Sequence, residues 1–287
     1  MKKSGIVLLL GRPNVGKSTL LNTLIGQKVS ITSPKSQTTR APLKALFEDE
    51  RGQLLFVDTP GVFLKAQDKL SKTINRRTLS AVEEDFDVAV YMVDQTRARN
   101  FEEGRVAGIV RGISKPKILV INKIDAEGPN HYAEYRYLED EIPEVYKISA
   151  LKQKHLKPLL DGIFEKVNRP YPIVPPEDVG HPGLTLHSTQ FVEEIIREKI
   201  YLFTREEVPY KTGVHVEEIT ERKSGLLYIK AQILVTDKRY RKMLIGREGR
   251  MVTEIGRAAR KELELARGKK VFLDLRIETD YHLLDNV

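Results

Sequence analysis

The feature that most constrains this chain is an eight-residue stretch near its start, Gly-Arg-Pro-Asn-Val-Gly-Lys-Ser, at residues 11–18. It directly follows the apolar run 6–10, which is typical of a buried parallel strand, and it precedes a helical pattern over 19–26. Two glycines followed by Lys and Ser at this spacing form the pattern of a phosphate-binding loop. Glycine permits the tight turn and the close approach of backbone to a bound group. The stretch therefore predicts a strand–loop–helix unit that binds nucleotide phosphates, rather than a chance glycine-rich turn.

Each position of this loop has an expected role. Backbone N–H groups at the start of a helix are expected to surround the β-phosphate. The Lys17 ammonium group can reach the β- and γ-phosphates, and the Ser18 hydroxyl is placed to ligate Mg²⁺. The candidate phosphate-binding residues are Gly11, Arg12, Pro13, Asn14, Val15, Gly16, Lys17, Ser18, Thr19 and, further along the chain, Gly61.

The composition excludes several classes of protein. Hydrophobic residues make up 40% and charged residues 31% of the 287, which fits a globular protein of one or two domains. The chain has no cysteine, so disulfides and thiolate metal sites are excluded. No apolar run approaches the roughly 18 residues that a membrane span needs. We expect a cytoplasmic protein.

The first part of the chain predicts an α/β domain over 1–167. Apolar strand-like runs at 6–10, 43–47, 54–58, 88–94, 118–122 and 145–149 alternate with helical patterns, of which 156–167 is the last. This alternation is typical of a mostly parallel sheet with helices on both faces. The runs 43–47 and 54–58 are too close for a crossover helix, so they predict a hairpin with one antiparallel strand at the sheet edge.

Proline marks the predicted domain boundary. Five of the chain's 14 prolines fall within 168–183, which predicts an extended linker. The remaining segment, 184–287, shows its own order of patterns: an amphipathic helix, two alternating strands, two helices and a final strand. We therefore expect a second, α+β domain.

An aspartate that ends a predicted strand is a candidate metal ligand. Asp58 begins the sequence Asp-Thr-Pro-Gly, in which the carboxylate can hold Mg²⁺ through water and the Gly61 N–H can sense a γ-phosphate. A polar loop at 36–40 adds a threonine that can complete the Mg²⁺ shell, for which Thr39 is preferred over Thr38. The candidate metal ligands are thus Ser18, Thr39 and Asp58. The candidate switch residues are Gln37, Thr38, Thr39, Arg40, Asp58, Thr59, Pro60, Gly61 and Val62.

The sequence Asn-Lys-Ile-Asp at 122–125 follows another predicted strand and fits a base-binding site. Guanine offers an N1–H and an exocyclic amine that one carboxylate, that of Asp125, can accept together. Adenine lacks this donor pair, so the motif predicts selection of GTP over ATP. Asn122 can reach the other edge of the base, the Lys123 stem can pack on it, and Ser149 and Ala150 can contact it through backbone. Alone, the tetrapeptide could equally be a surface turn.

Positive charge is concentrated in one window of the second segment. Residues 238–270 contain 12 Lys and Arg against 4 Glu, which indicates a phosphate-rich partner unless it is simply a solvated helix face. The sequence Gly-Arg-Glu-Gly at 246–249 lies inside this window, between two predicted helices, where such a loop clamps single-stranded nucleic acid. The candidate RNA-binding residues are Lys238, Lys242, Gly246, Arg247, Glu248, Gly249 and Arg250.

Taken together, these motifs resemble those of a known family. The stretches 11–18, 37–40, 58–61, 122–125 and 149–151 are similar, in order and spacing, to the five guanine-nucleotide motifs of translation-factor-class GTPases. The segment from 184 resembles a type II KH domain, and a GTPase domain followed directly by a KH domain is similar to the Era family. The resemblance covers nearly the whole chain. It implies a P-loop GTPase domain and a KH domain, and a GTP-hydrolysing switch that binds the 3′ region of small-subunit ribosomal RNA and assists 30S subunit maturation.

Two residues depart from the pattern of many other GTPases. Val62 stands where a water-orienting glutamine is common, so slow intrinsic hydrolysis is expected. Asn14 is similar to an asparagine that holds K⁺ in some relatives, although it also suits a turn. The resemblance further implies a possible peripheral attachment to the inner face of the membrane, and we expect a monomer. Two alternative functions stay open: a second domain that docks on protein, and an RNA chaperone in which nucleotide is only structural.

Overall fold

The computed structural model of the protein describes residues 2–26, 43–60, 76, 78–175, 188–205, 207–281 and 283. These residues fall into two units, one extending to residue 175 and the other beginning at residue 188. The domain bounds given above, 1–167, 168–183 and 184–287, stay a prediction.

The first unit is an α/β layer structure. Its elements in chain order are β1 (Lys3–Leu10), α1 (Lys17–Ile25), β2 (Leu43–Asp49), β3 (Gly52–Asp58), β4 (Val88–Asp94), α2 (Phe101–Arg111), β5 (Lys117–Asn122), α3 (Tyr137–Glu141), β6 (Val145–Lys147) and α4 (Leu156–Lys166). The strands form one six-stranded sheet in the order β2-β3-β1-β4-β5-β6. All neighbouring pairs are parallel except β2 with β3. Every residue of the central strand β4 is buried, as expected for a sheet covered on both faces.

The predicted hairpin is confirmed at the sheet edge, but its strands are longer than the apolar pattern indicates. Strands β2 and β3 are separated by only Glu50 and Arg51, because the polar residues 48, 49 and 53 still pair in the ladder. Residues 48 and 49 lie in the edge strand β2, where polar side chains do not disturb the core, and the amide of Gln53 in β3 is buried with hydrogen-bond partners. Hydrophobicity alone therefore underestimates the length of both strands. Strand β6 is shorter than predicted, since the chain leaves the ladder after Lys147 and Ser149 instead pairs with Lys154 across a tight loop.

The first residues of the predicted linker form hydrogen bonds with the first unit. The backbone groups of Ser4 and Arg169 exchange two hydrogen bonds, of 3.0 and 2.9 Å. The side-chain oxygen of Gln53 accepts hydrogen bonds from the N–H groups of Ile173 and Val174. Residues 169–174 therefore lie against strands β1 and β3, held by these hydrogen bonds.

The second unit has the order α-β-β-α-α-β that the sequence pattern predicts. It comprises α5 (Ser188–Phe203), β7 (Thr212–Glu221), β8 (Leu227–Val235), α6 (Lys238–Ile245), α7 (Arg250–Arg267) and β9 (Val271–Thr279). Strand β8 lies in the centre of the sheet, antiparallel to β7 and parallel to β9. The alternation in β8 puts Ile229, Ala231, Ile233 and Val235 in the core. The predicted fold class, a P-loop-type α/β domain followed by a KH-type α+β domain, is confirmed.

Helix α5 differs from the simple amphipathic helix that its sequence predicts. Besides its apolar residues, the charged residues Glu198 and Lys199 are buried. Lys199 pairs with Glu198 at 2.7 Å and also with Glu262 of α7. Because burial of an unpaired charge is costly, these ion pairs are what allow polar positions of α5 to be covered.

None of the helices within the described ranges is long and apolar enough to span a bilayer.

The first residue of β3 yields a prediction about stability. Gly52 has a φ of 139°, and a Cβ added there would overlap the carbonyl oxygen of Lys3. We expect Gly52→Ala to lower the free energy of unfolding by at least about 2 kcal/mol, because both the strained φ and the overlap oppose it.

Gly108 in α2 is the matched control for this substitution. A Cβ there meets nothing within 4 Å. Gly108→Ala should raise the free energy of unfolding by about 0.4–1 kcal/mol. Urea denaturation measures both variants, and equal effects at the two positions would contradict the geometry.

Candidate functional site

The backbone conformation of the loop at 11–18 requires glycine at two positions. Gly11 and Gly16 have φ angles of 155° and 107°, and a Cβ at Gly11 would lie 2.6 Å from the carbonyl oxygen of Met92 in β4. Asn14 has a φ of 65°, a left-handed conformation that asparagine tolerates better than most residues. Helix α1 starts at Lys17, directly after Gly16, two residues earlier than the apolar pattern indicates. The loop therefore wraps the N-terminal end of α1, where backbone N–H groups lack helical partners.

Lys17 is held inside this loop. Its Nζ donates hydrogen bonds to the carbonyl oxygens of Gly11, at 2.8 Å, and Arg12, at 3.3 Å. Burial lowers the pKa of Lys17 below its ordinary value, while the negative charges of Asp58 and Glu103 act in the opposite direction. An anion bound in the loop would stabilise the charged form of Lys17 and offset this burial cost.

Ser18 and Asp58 lie together at the carboxyl end of β3. The Ser18 hydroxyl donates a 2.7 Å hydrogen bond to Oδ2 of Asp58, which is fully buried. The next residue, Thr59, donates from its hydroxyl to the carbonyl oxygen of Leu9 at 2.6 Å and so joins the end of β3 to β1. Two hard oxygen ligands from different elements are thus adjacent, and this fits the preference of Mg²⁺ for oxygen.

Asn122 joins three loops. Its Nδ2 donates to the carbonyl oxygen of Val15 at 2.8 Å, and its Oδ1 accepts from the N–H of Ala150 at 3.0 Å. A Cβ at Gly16 would overlap this same Nδ2. The structure therefore brings Asn122 to the predicted site, with its amide between the loops at 11–18 and 149–151 rather than turned towards solvent.

Lys123 is positioned by two contacts. Its Nζ lies 2.6 Å from Oδ2 of Asp94, at the end of β4, and 3.1 Å from the carbonyl oxygen of Asn14. Its φ of 66° turns the chain sharply after β5. Asp125 follows in this turn and is partly exposed, on the same edge of the sheet as the loop at 11–18. Ser149 is buried, and its hydroxyl accepts from the N–H of Lys152 at 2.9 Å.

The side chain of Arg12, one of the candidate phosphate-binding residues, is buried against other segments of the first unit. It is 1% exposed, and its guanidinium bonds to the carbonyl oxygens of Arg97 and Ala98 and pairs with Glu103. Only the backbone of Arg12 is left to contact a ligand in the loop. The burial reverses the usual surface preference of arginine, and only the tertiary structure reveals it.

Several predicted residues lie outside the described residues. They are the switch candidates Gln37, Thr38, Thr39, Arg40, Gly61 and Val62, of which Thr39 and Gly61 were also candidate metal and phosphate contacts. Their roles stay predictions. The described part of the chain contains no group of three or more His, Asp or Glu side chains placed to hold a metal by themselves.

In the second unit, the loop at 246–249 connects α6 and α7 through positive φ angles. Gly246, Glu248 and Gly249 have φ values of 70°, 53° and 74°. A Cβ at Gly246 would lie 2.8 Å from Cβ of Met251, whereas one at Gly249 would meet nothing within 4 Å. The second glycine therefore leaves open space where another backbone can approach. The exposed basic candidates around the loop are Lys238, Lys242, Arg247 and Arg250.

Two residues of the first site have no motif of their own. Asp94 is fully buried and holds Lys123, and Thr23 in α1 donates from its hydroxyl to the carbonyl oxygen of Ala150 at 3.0 Å. Asp94 ends an apolar strand just as Asp58 does, so the sequence did carry a signal for it. Thr23 sits in an ordinary helix, and nothing in the sequence distinguishes it.

Comparison with known proteins agrees with this geometry. Residues 6–123 match the 50S ribosome-binding GTPase family, and residues 207–280 match the KH domain family. The fold and these matches define the class of the protein: a P-loop GTPase followed by a KH domain.

Relatives extend along nearly the whole chain. GTPase Era of Halothermothrix orenii is 41% identical, over 97% of this chain and 94% of its own length. GTPase Era of Thermotoga maritima is 38% identical, over 96% and 91%. A variant of Era from Aquifex aeolicus bound to GDP·AlF4⁻ is 36% identical, covers 98% of both chains and has a TM-score of 0.87. An Era bound to MgGDPNP and nucleotides 1506–1542 of 16S ribosomal RNA is 36% identical, over 99% and 96%, with a TM-score of 0.88.

The chain belongs to the GTPase Era family. The family resemblance and the GTPase activity expected from the sequence are thereby confirmed.

The contacts of Asn122 lead to a prediction. Asn122→Ala leaves the carbonyl oxygen of Val15 and the N–H of Ala150 without their buried partner, which costs about 1–3 kcal/mol for each buried group left unsatisfied. We expect a lower free energy of unfolding and faster hydrogen exchange at the amide of Ala150. The control is Asn130→Ala, which removes an exposed hydrogen bond from the N–H of Tyr132 and should leave exchange at Ala150 unchanged. Unchanged exchange at Ala150 would contradict the bridging contact.

Proposed function

We propose that this chain is a GTP-hydrolysing switch that binds the 3′ region of small-subunit ribosomal RNA and assists maturation of the 30S subunit. The observation that carries the nucleotide half is the pairing of Ser18 with Asp58 beside the buried ammonium group of Lys17. The observation that supports the RNA half is a glycine loop with positive φ angles, in a basic helix pair of a KH fold.

The phosphates are proposed to lie over the loop at 11–18. Backbone N–H groups there bind the β-phosphate, with the side chain of Arg12 excluded from this role. Lys17 exchanges its bonds with the carbonyl oxygens of Gly11 and Arg12 for phosphate oxygens. The positive end of α1 adds to the attraction.

The residues present fit Mg²⁺. Ser18 supplies a hydroxyl and Asp58 a buried carboxylate at the place where the phosphates would end. When bound, the ion neutralises phosphate charge during hydrolysis. One solved relative contains MgGDPNP, and this supports the same ion here. Thr39 is proposed as a further ligand.

Guanine is proposed to bind between Lys123 and Asp125. The Lys123 stem is held against the phosphate loop by Asp94 and by the carbonyl of Asn14, so it can pack on the base. The partly exposed carboxylate of Asp125 accepts from the N1–H and amine of guanine. Asn122 serves mainly to hold the loops in register, and the N–H groups near Ala150 lie beside it.

Hydrolysis is proposed to be slow without a partner, because Val62 offers no polar group to orient water. A potassium ion at Asn14 would add positive charge near the transferring phosphate. A comparison of hydrolysis rates in potassium and sodium chloride tests that ion. A monomeric state and a peripheral membrane attachment remain predictions, which ultracentrifugation and vesicle sedimentation would test.

RNA is proposed to follow the loop at 246–249. Gly249 allows close backbone approach, and Lys238, Lys242, Arg247 and Arg250 meet phosphates, with Glu248 at the apex of the turn. One solved relative contains nucleotides 1506–1542 of 16S ribosomal RNA, which supports the choice of the 3′ region. Docking on protein instead, the main alternative, predicts no RNA affinity.

Nucleotide choice should depend on Asp125. Xanthine carries a carbonyl where guanine carries its amine, so Asp125→Asn should shift preference from GTP to xanthosine triphosphate. We expect a change in the ratio of the two affinities of at least about tenfold, or ~1.4 kcal/mol, by competition binding. The control is Asp140→Asn, on the separate helix α3. Unchanged selectivity would remove Asp125 from the base site.

RNA affinity should depend on the glycine loop and on salt. The double substitution Gly246→Asp and Gly249→Asp should abolish binding of a single-stranded RNA with the 3′-end sequence, through strain and charge repulsion, and leave GTP affinity intact. Parent affinity should fall steeply with salt, because phosphate contacts release counterions. Gly225→Asp, in the β7–β8 turn, is the control with a positive φ. Full RNA affinity in the double variant would reject this surface.

A further inference from the structure

A buried polar network lies beneath the phosphate loop and is not part of any nucleotide contact described above. At its centre is Arg12, whose guanidinium donates to the carbonyl oxygens of Ala98 at 3.1 Å and Arg97 at 3.3 Å. It also donates to the hydroxyl of Tyr135 at 3.0 Å, and its Nε lies 3.0 Å from Oε2 of Glu103. One side chain of the phosphate loop thus reaches three separate segments of the first unit.

Glu103 is the anion of this network. It is fully buried in the first turn of α2 and accepts a 2.6 Å hydrogen bond from the hydroxyl of Tyr91 in β4. Burial raises the pKa of Glu103, while the bond from Tyr91 and the charges of Arg12 and Lys17 lower it. Glu103 is connected to the phosphate loop directly, through its ion pair with Arg12.

A second arginine makes the reverse connection. Arg97 donates from Nη1 to the carbonyl oxygen of Pro13 at 3.0 Å, and its own carbonyl accepts from Arg12 and from Tyr135. The loop after β4 and the phosphate loop are therefore connected by two arginine side chains. Arg97 reaches from the first loop to the second, and Arg12 reaches from the second to the first.

Such an ion pair is a poor source of stability. The desolvation of two buried charges offsets most of their attraction, and apolar residues of similar size often stabilise a core at least as well. A guanidinium does, however, fix geometry, because its planar set of donors binds several acceptors in one arrangement. The contacts here fix the second residue of a loop whose N–H groups must point at a ligand.

We propose that Arg12 and Glu103 are positioning residues of the phosphate loop: their buried pair holds the loop in the conformation that binds the β-phosphate. This inference rests on the proposed nucleotide site. Neither side chain touches the nucleotide. Their effect passes through the backbone of residues 11–14 and through Lys17, whose Nζ bonds to the carbonyl of Arg12.

The β-phosphate itself provides the test, because GDP has it and GMP does not. Competition against a fluorescent guanine nucleotide gives both affinities for the full chain. We expect Arg12→Met to lower GDP affinity at least about tenfold and GMP affinity less than about twofold, so the ratio falls. Arg12→Lys keeps the charge but loses the planar donors, and it should give an intermediate ratio.

Asp87→Asn is the matched control. Asp87 pairs with Arg169 at 2.6 Å and accepts from the N–H of Ile6 at 2.7 Å, away from the phosphate loop. This variant should lower the unfolding temperature and leave the ratio of GDP to GMP affinity at the parent value.

A second variant covers the case in which Arg12→Met does not fold. Glu103→Gln keeps the shape of the side chain and one acceptor oxygen, but it removes the charge and turns the other acceptor into a donor. It should lower the same ratio by a smaller factor. The inference would be overturned if every folded variant of Arg12 and Glu103 kept the parent's ratio of GDP to GMP affinity and only its unfolding temperature were lowered. A parent chain that binds GDP no better than GMP would instead overturn the proposed nucleotide site.

Discussion

The first unit depends on one geometric constraint: parallel strands end at the same edge of their sheet. Strands β1, β3, β4 and β5 all end at that edge, and the described loops after β1, β4 and β5 contain no helix or strand that would hold them. Side chains supply the missing order. Asn122 spans three loops, and Lys123 bonds to the end of β4. A ligand at this edge therefore meets donors that are already fixed in place, and ordering them on binding costs little free energy.

Buried charge is concentrated beneath this edge. Lys17, Asp58, Asp94 and Glu103 are all buried within a few residues of a strand end or helix start, and Arg12 joins them. A solvated surface would screen these charges, whereas a buried position keeps their interactions strong. The arrangement costs stability and provides a fixed electrostatic environment for the proposed phosphate ligand, a combination commonly found at functional sites.

The second unit also depends on glycine residues, but at a junction between two helices. Its loop at 246–249 uses glycine to bring two helix ends together, and Gly249 leaves space in front of the backbone. The core residues of the central strand β8 are fully buried, so one face of the sheet is covered. Sequence-tolerant approach to a nucleic-acid backbone needs open space and positive charge rather than a deep pocket.

The sequence by itself determined the class of both units and the place of each motif within the described residues. Loops at the ends of apolar strands can be found from the chain alone, because the strand period and the glycine spacing are local properties. The hairpin, the six strands and the order α-β-β-α-α-β were all predictable for this reason. The ends of the strands were less predictable, since polar residues continue β2 and a tight loop shortens β6.

Only the tertiary structure decided what the side chains of these motifs contact. Arg12 and Asn122 stand in a loop or turn that the sequence assigns to ligand, yet both side chains are buried among other loops. Glu103 looks like an ordinary acidic residue in the first turn of a helix, and Thr23 like a surface threonine. The reason is physical: whether a polar group faces water, ligand or another loop depends on partners distant in sequence. Arg12 lies 86 residues from Ala98 and 123 from Tyr135, and no local pattern encodes those distances.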